Sequence, residues 1–566
     1  MTLDQFNREA RRPETGAVVV GGLDAAGQAA RTATVCAVLA AVASVATYLV
    51  GPPPGDAAAH AFQTLAFARH GFALWDNYWY AGYYQYVLYS LLYYPVAVVG
   101  GIVPVAIVSV AVAAWAFASV TGRHWGLPAR WPSLAFAATL PVLVMVAGIF
   151  PFVAGMASAG LVVVFLQRRK RVAAAVATIV VPAFSPLAFL LLLVVLAALL
   201  VSSPEPRVAL GQNRWPVGAV IGALAGTTAL RVVFAQPGYY PFSLLDLATA
   251  LGFSSVGLLI TRARVKRDCL SALFVVYPLV NIALFLTPSP VGSNATRLYS
   301  IAAVPLLWLA ARARTPPLAR RRVISVLVLA FAVQVTPFAA SAYDSYRESA
   351  TAAPAFWRPA LSFLRTHPDA GHRVEVVATA DHWEAYYLAQ AGVSLARGWY
   401  RQADFPVNQV LYRSTISPNA YRAWLRAMGI KYVLLPAVPL DYSSHAEATL
   451  IRSGRSGLRL VATTPDWRFY QLPRSVGIIT GSRSAPQDVQ VTAETIRFLA
   501  PQAGPYLIRV RYSPYWRPSG QLGCLSPSPN GMMRVDVRAP GSISLTMPDP
   551  LDALFNTTTP TQPCNP

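Results

Sequence analysis

Apolar positions gather into eleven runs of near membrane-spanning length between about residues 32 and 342. The runs cover 32–50, 102–121, 132–149, 151–167, 172–185, 187–202, 216–235, 243–261, 268–287, 298–311 and 323–342. The two short runs meeting at Pro186 read either as two spans or as one broken helix. Residues 51–101 separate the first two runs. This segment opens on Gly51-Pro-Pro-Pro-Gly55, which stops a helix, and continues with an amphipathic helical pattern from Asp56 to about Arg69. Trp75 to Tyr86 then packs seven aromatics into twelve residues. An aromatic belt at the headgroup level is the simplest reading of that run, and sugar stacking is the other.

The pattern changes after Tyr343, where charged residues become frequent and long apolar runs end. Alternating strand and helix patterns predict an α/β domain over 343–475: a strand at Arg373–Thr379, a helix at Tyr421–Met428 and a strand from Lys431. Short alternating strands broken by Pro and Gly predict a β-sandwich over 476–566. The predicted architecture is therefore a cytoplasmic tail (1–31), an α-helical polytopic membrane domain (32–342) and two extracytoplasmic domains. The first run lies behind Arg8, Arg11, Arg12 and Arg31 with no small-residue cleavage pattern, and reads as an uncleaved anchor.

Charge orients this plan. The net charge of +22 invites a nucleic-acid reading, but the cations of the membrane half sit in short loops such as 168–171, 262–267 and 312–322. That is the positive-inside pattern, which excludes nucleic acid as the reason for the charge. With the N-terminus inside, 21 of the 24 basic residues in 1–342 fall on the cytoplasmic side, all but Arg69, Arg231 and Arg297. This predicts a multi-pass protein of the plasma membrane. Of the cysteines, Cys36 and Cys269 read as packing residues, while Cys524 and Cys564 are expected to form a disulfide in an oxidising compartment.

Acids are rarer still. Residues 1–342 hold nine Asp or Glu, and this topology places three outside: Asp56, Asp76 and Asp246. Asp56 follows Gly55 at a predicted helix start, so it reads as an N-cap. It also has His60 one turn later on the same face, an acid–imidazole pair able to take a proton from a hydroxyl. A base at a helix N-terminus is still a base, and both readings stand. Asp76 lies among tyrosines. Asp246 needs a cavity or a cationic partner at membrane depth, with Arg231 and Arg297 as candidates. Arg297 could clamp a phosphate or remain a snorkelling cation. Beyond the membrane half, Trp399 and Arg401 suit carbohydrate contact. Neither a P-loop, a dinucleotide fingerprint, a Ser/His/Asp motif nor a zinc spacing occurs.

An anchor span, a long first outer loop with an early acid, many further spans and a soluble C-terminal region together resemble the GT-C class of integral membrane glycosyltransferases. Gly55-Asp56 with His60, Gly82-Tyr83-Tyr84 and Leu91-Leu-Tyr-Tyr-Pro95 also resemble a bacterial membrane group labelled 6-pyruvoyl-tetrahydropterin synthase-related. The GT-C likeness implies a polyprenyl-phosphate sugar donor, a glycan or lipid acceptor of the cell envelope, and inversion at the anomeric carbon. It makes Asp56 the base, with His60 beside it and Asp76, Tyr83, Tyr84, Arg231, Asp246, Arg297, Trp399 and Arg401 as substrate contacts. Many such enzymes carry a second acid close to the first; here the next is Asp76, twenty residues on. That leaves a divalent cation, magnesium or manganese, an open expectation. A flippase for lipid-linked saccharides and a non-catalytic envelope assembly protein are the alternative readings.

Overall fold

The computed structural model describes residues 17–85, 89–236, 238–262, 268–314, 316–347 and 349–555, with side chains from Gly27 onward except Ser341. The chain divides into two compact units. Helix α1 (Ala17–Val50) begins the helical unit. The chain then passes, at Gly55/Asp56, into the second unit for α2 (Ala57–His70) and a hairpin of β1 (Trp75–Asp76) and β2 (Tyr83–Tyr84). It returns to the helical unit for α3 (Tyr93–Gly100), α4 (Ile102–Trp125), α5 (Arg130–Ala147), α6 (Phe150–Gln167), α7 (Arg171–Phe184) and α8 (Pro186–Val201). There follow α9 (Pro206–Gln212), α10 (Arg214–Val233), α11 (Leu244–Thr261), α12 (Cys269–Leu286), α13 (Arg297–Ala313) and α14 (Arg320–Arg347).

Each predicted apolar run is helical. Among the described residues eight helices are long and apolar enough to cross a membrane, and the unit is that of a multi-pass membrane protein. The helices α7 and α8 are shorter, at 14 and 16 residues, or about 21 and 24 Å against a hydrocarbon core of about 30 Å. Polar side chains inside the apolar helices are satisfied locally. The hydroxyls of Ser44, Ser109, Thr121, Ser158, Thr178 and Ser254 each donate to the carbonyl four residues back. A hydroxyl bonded within its own turn adds little cost in lipid.

The helix break falls at Ser185, whose backbone is extended and whose Oγ accepts from the Ala188 N–H. Breaking there releases carbonyls at the end of α7. Ala183 O is recovered by the amides of Leu91 and Leu92, each at 2.9 Å. Gly155 of α6 lets the break pack closely, because a Cβ there would sit 2.7 Å from that of Ala188 and 2.9 Å from that of Ser185.

The second unit continues with α15 (Pro354–Thr366), β3 (Arg373–Val376), α16 (Glu384–Gln390), α17 (Arg401–Val407), α18 (Pro418–Ala427), β4 (Ile430–Pro436), α19 (His445–Arg452), β5 (Arg459–Thr463) and β6 (Trp467–Gln471). The sheet order is β3-β4-β6-β5, with β3 and β4 parallel and the other pairs antiparallel. Leu395 adds a parallel bridge to Val374 on the free edge of β3. Beyond it lie β7 (Ile479–Gly481), β8 (Gln487–Val491), β9 (Thr495–Ala500), β10 (Gly504–Arg511), β11 (Arg517–Ser519), β12 (Leu522–Pro527), β13 (Met532–Val537) and β14 (Gly541–Thr546). They make two antiparallel sheets, β12-β13-β10-β7 and β11-β14-β9-β8, whose inward residues alternate and meet where Phe498 packs on Tyr506. Cys524 is disulfide-bonded, and Cys564 lies outside the described residues.

The hairpin of the first outer segment departs from the belt expected for it. Trp75, Trp79, Tyr80 and Tyr83 are almost wholly buried inside the second unit. Trp79 stacks on Phe62 of α2 at 3.9 Å and donates its indole N–H to Ala385 O. Leu395 N donates to Tyr78 O, Arg511 N to Ala81 O, and Asn77 N to Ala493 O. The hairpin thereby bonds to both the α/β sheet region and the sandwich. Its turn is strained: Tyr80 and Ala81 have φ of 57° and 60°, and Gly82 has 109°. A Cβ on Gly82 would lie 2.5 Å from Cζ2 of the buried Trp75. Gly82→Ala is expected to destabilise the second unit by about 2 kcal/mol or more, read as a lower melting temperature by tryptophan fluorescence.

Candidate functional site

Asp56 occupies the N-cap position of α2, yet its side chain makes no capping hydrogen bond. One residue earlier the Gly55 amide donates to Val146 O in the last turn of α5, at 3.0 Å. Asp56 itself is half-buried. His60 is fully buried one turn on.

The other two acids expected outside each accept hydrogen bonds. Asp76, 2% exposed, accepts from Tyr78 N at 2.6 Å and from Gln85 Nε2 at 3.0 Å. Burial outweighs those bonds and pushes its pKa up to about 7. Ser243 caps the start of α11: its Oγ accepts the Asp246 N–H and donates to Asp246 Oδ2 at 2.6 Å. Ser293 Oγ is also 2.6 Å from that oxygen. Hydroxyls therefore hold Asp246, and among the described residues neither Arg231 nor Arg297 forms a salt bridge with it. Arg231 is exposed near the end of α10. Arg297 donates to Asn294 Oδ1 at 3.0 Å and lies over the Phe152 ring. Tyr83 and Tyr84 are core side chains, Tyr83 near Gln63 Nε2 and Tyr84 hydrogen-bonded to Ser513.

A second constellation stands at the carboxyl edge of the parallel strands. Three parallel segments end together there: β3, the bridge residue Leu395, and β4. The loop after β3 supplies His382 and Glu384, the chain after Leu395 supplies Arg397 and Arg401, and the loop after β4 supplies Asp441, Ser443 and Ser444. Ligand crevices in α/β sheets form at such edges, because loops from neighbouring strands converge there. His382 Nδ1 is 3.1 Å from Glu384 Oε1, and its Nε2 faces Asp441 Oδ2 across 3.5 Å. Asp441 also takes Arg401 at 2.5 Å, and Arg401 lies 4.3 Å above the exposed Tyr442 ring. His382 has a left-handed backbone, φ 54°. A non-glycine residue held there costs roughly 1–3 kcal/mol and persists only where its surroundings fix it.

Behind this lip lies a fully buried layer. Arg397 bonds Asp404 at 2.8 Å and the hydroxyls of Ser443 and Ser444 at 2.8 and 3.0 Å. Asp404 also accepts from Asn408 and Tyr412. Glu447 accepts from Tyr421, while both carboxylate oxygens of the buried Glu375 lack a hydrogen-bond partner. Burial, reinforced by the charge of Glu447, holds Glu375 well above the usual carboxylate range. Of the expected substrate contacts, Arg401 is 27% exposed on the outer lip and Trp399 is half-buried nearby in sequence. Asp441, Asp404 and Glu447 escaped the sequence reading, since an acid after a strand or on a short helix carries no spacing signal. Among the described residues no group of three or more His, Cys, Asp or Glu side chains is placed to hold a metal ion.

The lip has a pH signature. Burial alone would lower the His382 pKa, but the hydrogen bonds and charges of Asp441 and Glu384 outweigh it and push it up to about 9. A histidine raised on folding stabilises fully below its unfolded value near 6.5, and that contribution is lost as pH rises through about 9. Asp76, Glu447 and Glu494, raised by burial to about 7, act mainly at lower pH. Between pH 7 and 9 the melting temperature should fall, by roughly 2–4 °C per kcal/mol for a unit of this size. His382→Gln should flatten that fall in a pH series of thermal melts.

No family model matches the chain, so the resemblance to the 6-pyruvoyl-tetrahydropterin synthase-related group has no support there. No curated protein matches it either. Among solved structures it is similar to the oligosaccharyltransferase of Archaeoglobus fulgidus in the apo form, with a TM-score of 0.33 and 12% identity over 71% of this chain and 69% of that one. It is also similar to the archaeal oligosaccharyltransferase AglB from Archaeoglobus fulgidus in complex with an inhibitory peptide and a dolichol-phosphate, with a TM-score of 0.32, 13% identity and the same coverage. Superpositions of that quality carry no argument about the chemistry of this chain.

Proposed function

We propose that this chain is a membrane glycosyltransferase of GT-C type, which moves a sugar from a polyprenyl-phosphate donor to a glycan or lipid acceptor on the outer face of the plasma membrane. The observation that carries the reading is the setting of Asp56. It is the acid at the N-cap position of α2, the residue at which the chain leaves the helical unit. In the reaction Asp56 takes the proton of the acceptor hydroxyl while that oxygen attacks the anomeric carbon. The bond from that carbon to the phosphate oxygen breaks, and the lipid phosphate leaves with the electron pair. Attack opposite the leaving group inverts the centre. A general base of this kind supplies roughly 10²–10⁴ in rate. The lip of Arg401 and Tyr442 suits acceptor carbohydrate, since a guanidinium and an aromatic face contact sugar hydroxyls and C–H groups. A flippase reading calls for polar groups facing a path through the spans, whereas the hydroxyls of Ser44, Ser109, Thr121 and Ser158 are bonded within their own helices.

Asp56→Asn preserves shape and removes the basic oxygen. It should lower transfer from a polyprenyl-phosphate sugar by about 100-fold or more, with an unchanged melting temperature. Full activity in that variant, assayed in reconstituted vesicles with radiolabelled donor, would overturn the assignment.

A further inference from the structure

The helical unit encloses a cavity of about 620 Å³ between α4, α6, α8, α10, α12 and α13. It runs beside α8 from Ala188 to Leu200, about 18 Å at the helical rise. Its walls are almost wholly aliphatic and aromatic. Most of its polar groups gather at one end, where Thr121 and His124 close α4, Gln167 ends α6, Ser202 and Ser203 follow α8, and Asn213 precedes α10.

That end is also strongly basic. The exposed Arg123, Arg168, Arg207 and Arg214 each lie within two residues of a lining residue. Two acids adjoin this end: the exposed Glu205, two residues before Arg207, and Asp268, one residue before the lining Cys269, with its carboxylate engaged by the amides of Leu270 and Ser271. Three arginine–tryptophan stacks mark the same end: Arg168 over Trp115, Arg214 over Trp215 and Arg130 over Trp131, at 5.6, 5.6 and 5.7 Å. Such pairs belong at a membrane–water boundary, with the ring at headgroup level and the cation toward water.

A slot without hydrogen-bonding groups along its length cannot satisfy a sugar, but it accepts hydrocarbon. A ring of cations at its polar end selects a negative headgroup. We propose that the cavity holds the acyl chains of an anionic phospholipid drawn from the leaflet at the arginine-rich end, its phosphate held among Arg123, Arg168, Arg207 and Arg214. The positive-inside distribution assigns that leaflet to the cytoplasm. Within the helical unit, α4 starts at Ile102 and runs 24 residues, about 36 Å, before it ends at this site. It does not depend on the glycosyltransferase reading.

The test uses the full chain purified in mild detergent and equilibrated with equal phosphatidylglycerol, phosphatidylcholine and polyprenyl phosphate, followed by native mass spectrometry. Phosphatidylglycerol should be retained about tenfold over phosphatidylcholine, at one per chain. The combined variant Arg123→Gln, Arg168→Gln, Arg207→Gln and Arg214→Gln alters only exposed side chains and should bring retention down to the phosphatidylcholine level with an unchanged melting temperature. Ala197→Phe, which fills the slot, should reduce retention of every lipid. Equal retention of the two phospholipids, an arginine variant that retains phosphatidylglycerol like the wild type, or preferential retention of polyprenyl phosphate would each overturn the proposal.

Discussion

The second unit depends on how ten residues, Trp75 to Tyr84, escape both water and lipid. Their rings are too large to leave exposed, and their backbone groups are too polar to enter hydrocarbon unpaired. Folding them between the α/β sheet region and the sandwich resolves both demands. Trp79 and Tyr83 lose their surface to water, while Tyr78 O, Ala81 O and the Asn77 amide find partners in three distant parts of the chain. The left-handed turn at Tyr80–Gly82 follows from this geometry, since only a sharp reversal presents both edges of so short a hairpin.

The same unit shows what converging strand ends do to charge. Parallel strands deliver their loops to one edge, and here those loops carry acids and arginines together. Burying them singly would be prohibitive, so they neutralise one another: Arg397 with Asp404, Arg401 with Asp441, His382 between two carboxylates. Glu375 has no such hydrogen-bonded partner, and burial holds its pKa well above the usual carboxylate range. The layer behind is satisfied and closed, and the layer in front keeps Arg401 and Tyr442 open to solvent. A buried network of this kind fixes loop geometry more than it adds stability.

Much of this was legible from residue pattern. The apolar runs are helices close to the predicted bounds, the strands at Arg373 and Ile430 and the sandwich strands lie where alternation placed them, and Pro186 does begin a new helix. The aromatic run misled because composition is the same for a headgroup belt and for a buried hairpin. Only long-range partners such as Ala385, Ala493 and Arg511 distinguish them, and those lie more than 300 residues away. The ion network was half-legible: Trp399 and Arg401 stood out, but Asp404 and Asp441 are ordinary acids until the sheet brings them to the same edge. The apolar cavity left no mark at all, since its walls read as any membrane helix does.

The scarcity of acids narrows the chemistry further once the geometry is considered. Of the three carboxylates that the topology places on the outer side, Asp76 is buried with a pKa near 7 and ties the hairpin through Tyr78 and Gln85. Asp246 accepts from the hydroxyls of the N-cap Ser243 and of Ser293. Each has an architectural task whose removal would unsettle a turn. Asp56 alone of the three starts a helix without lending its side chain to the cap. An N-cap carboxylate that captures a backbone amide contributes about 1 kcal/mol, so leaving that stabilisation unused is a local cost. The cap geometry therefore does not fix where the Asp56 carboxylate points, which leaves the side chains around it to set its direction.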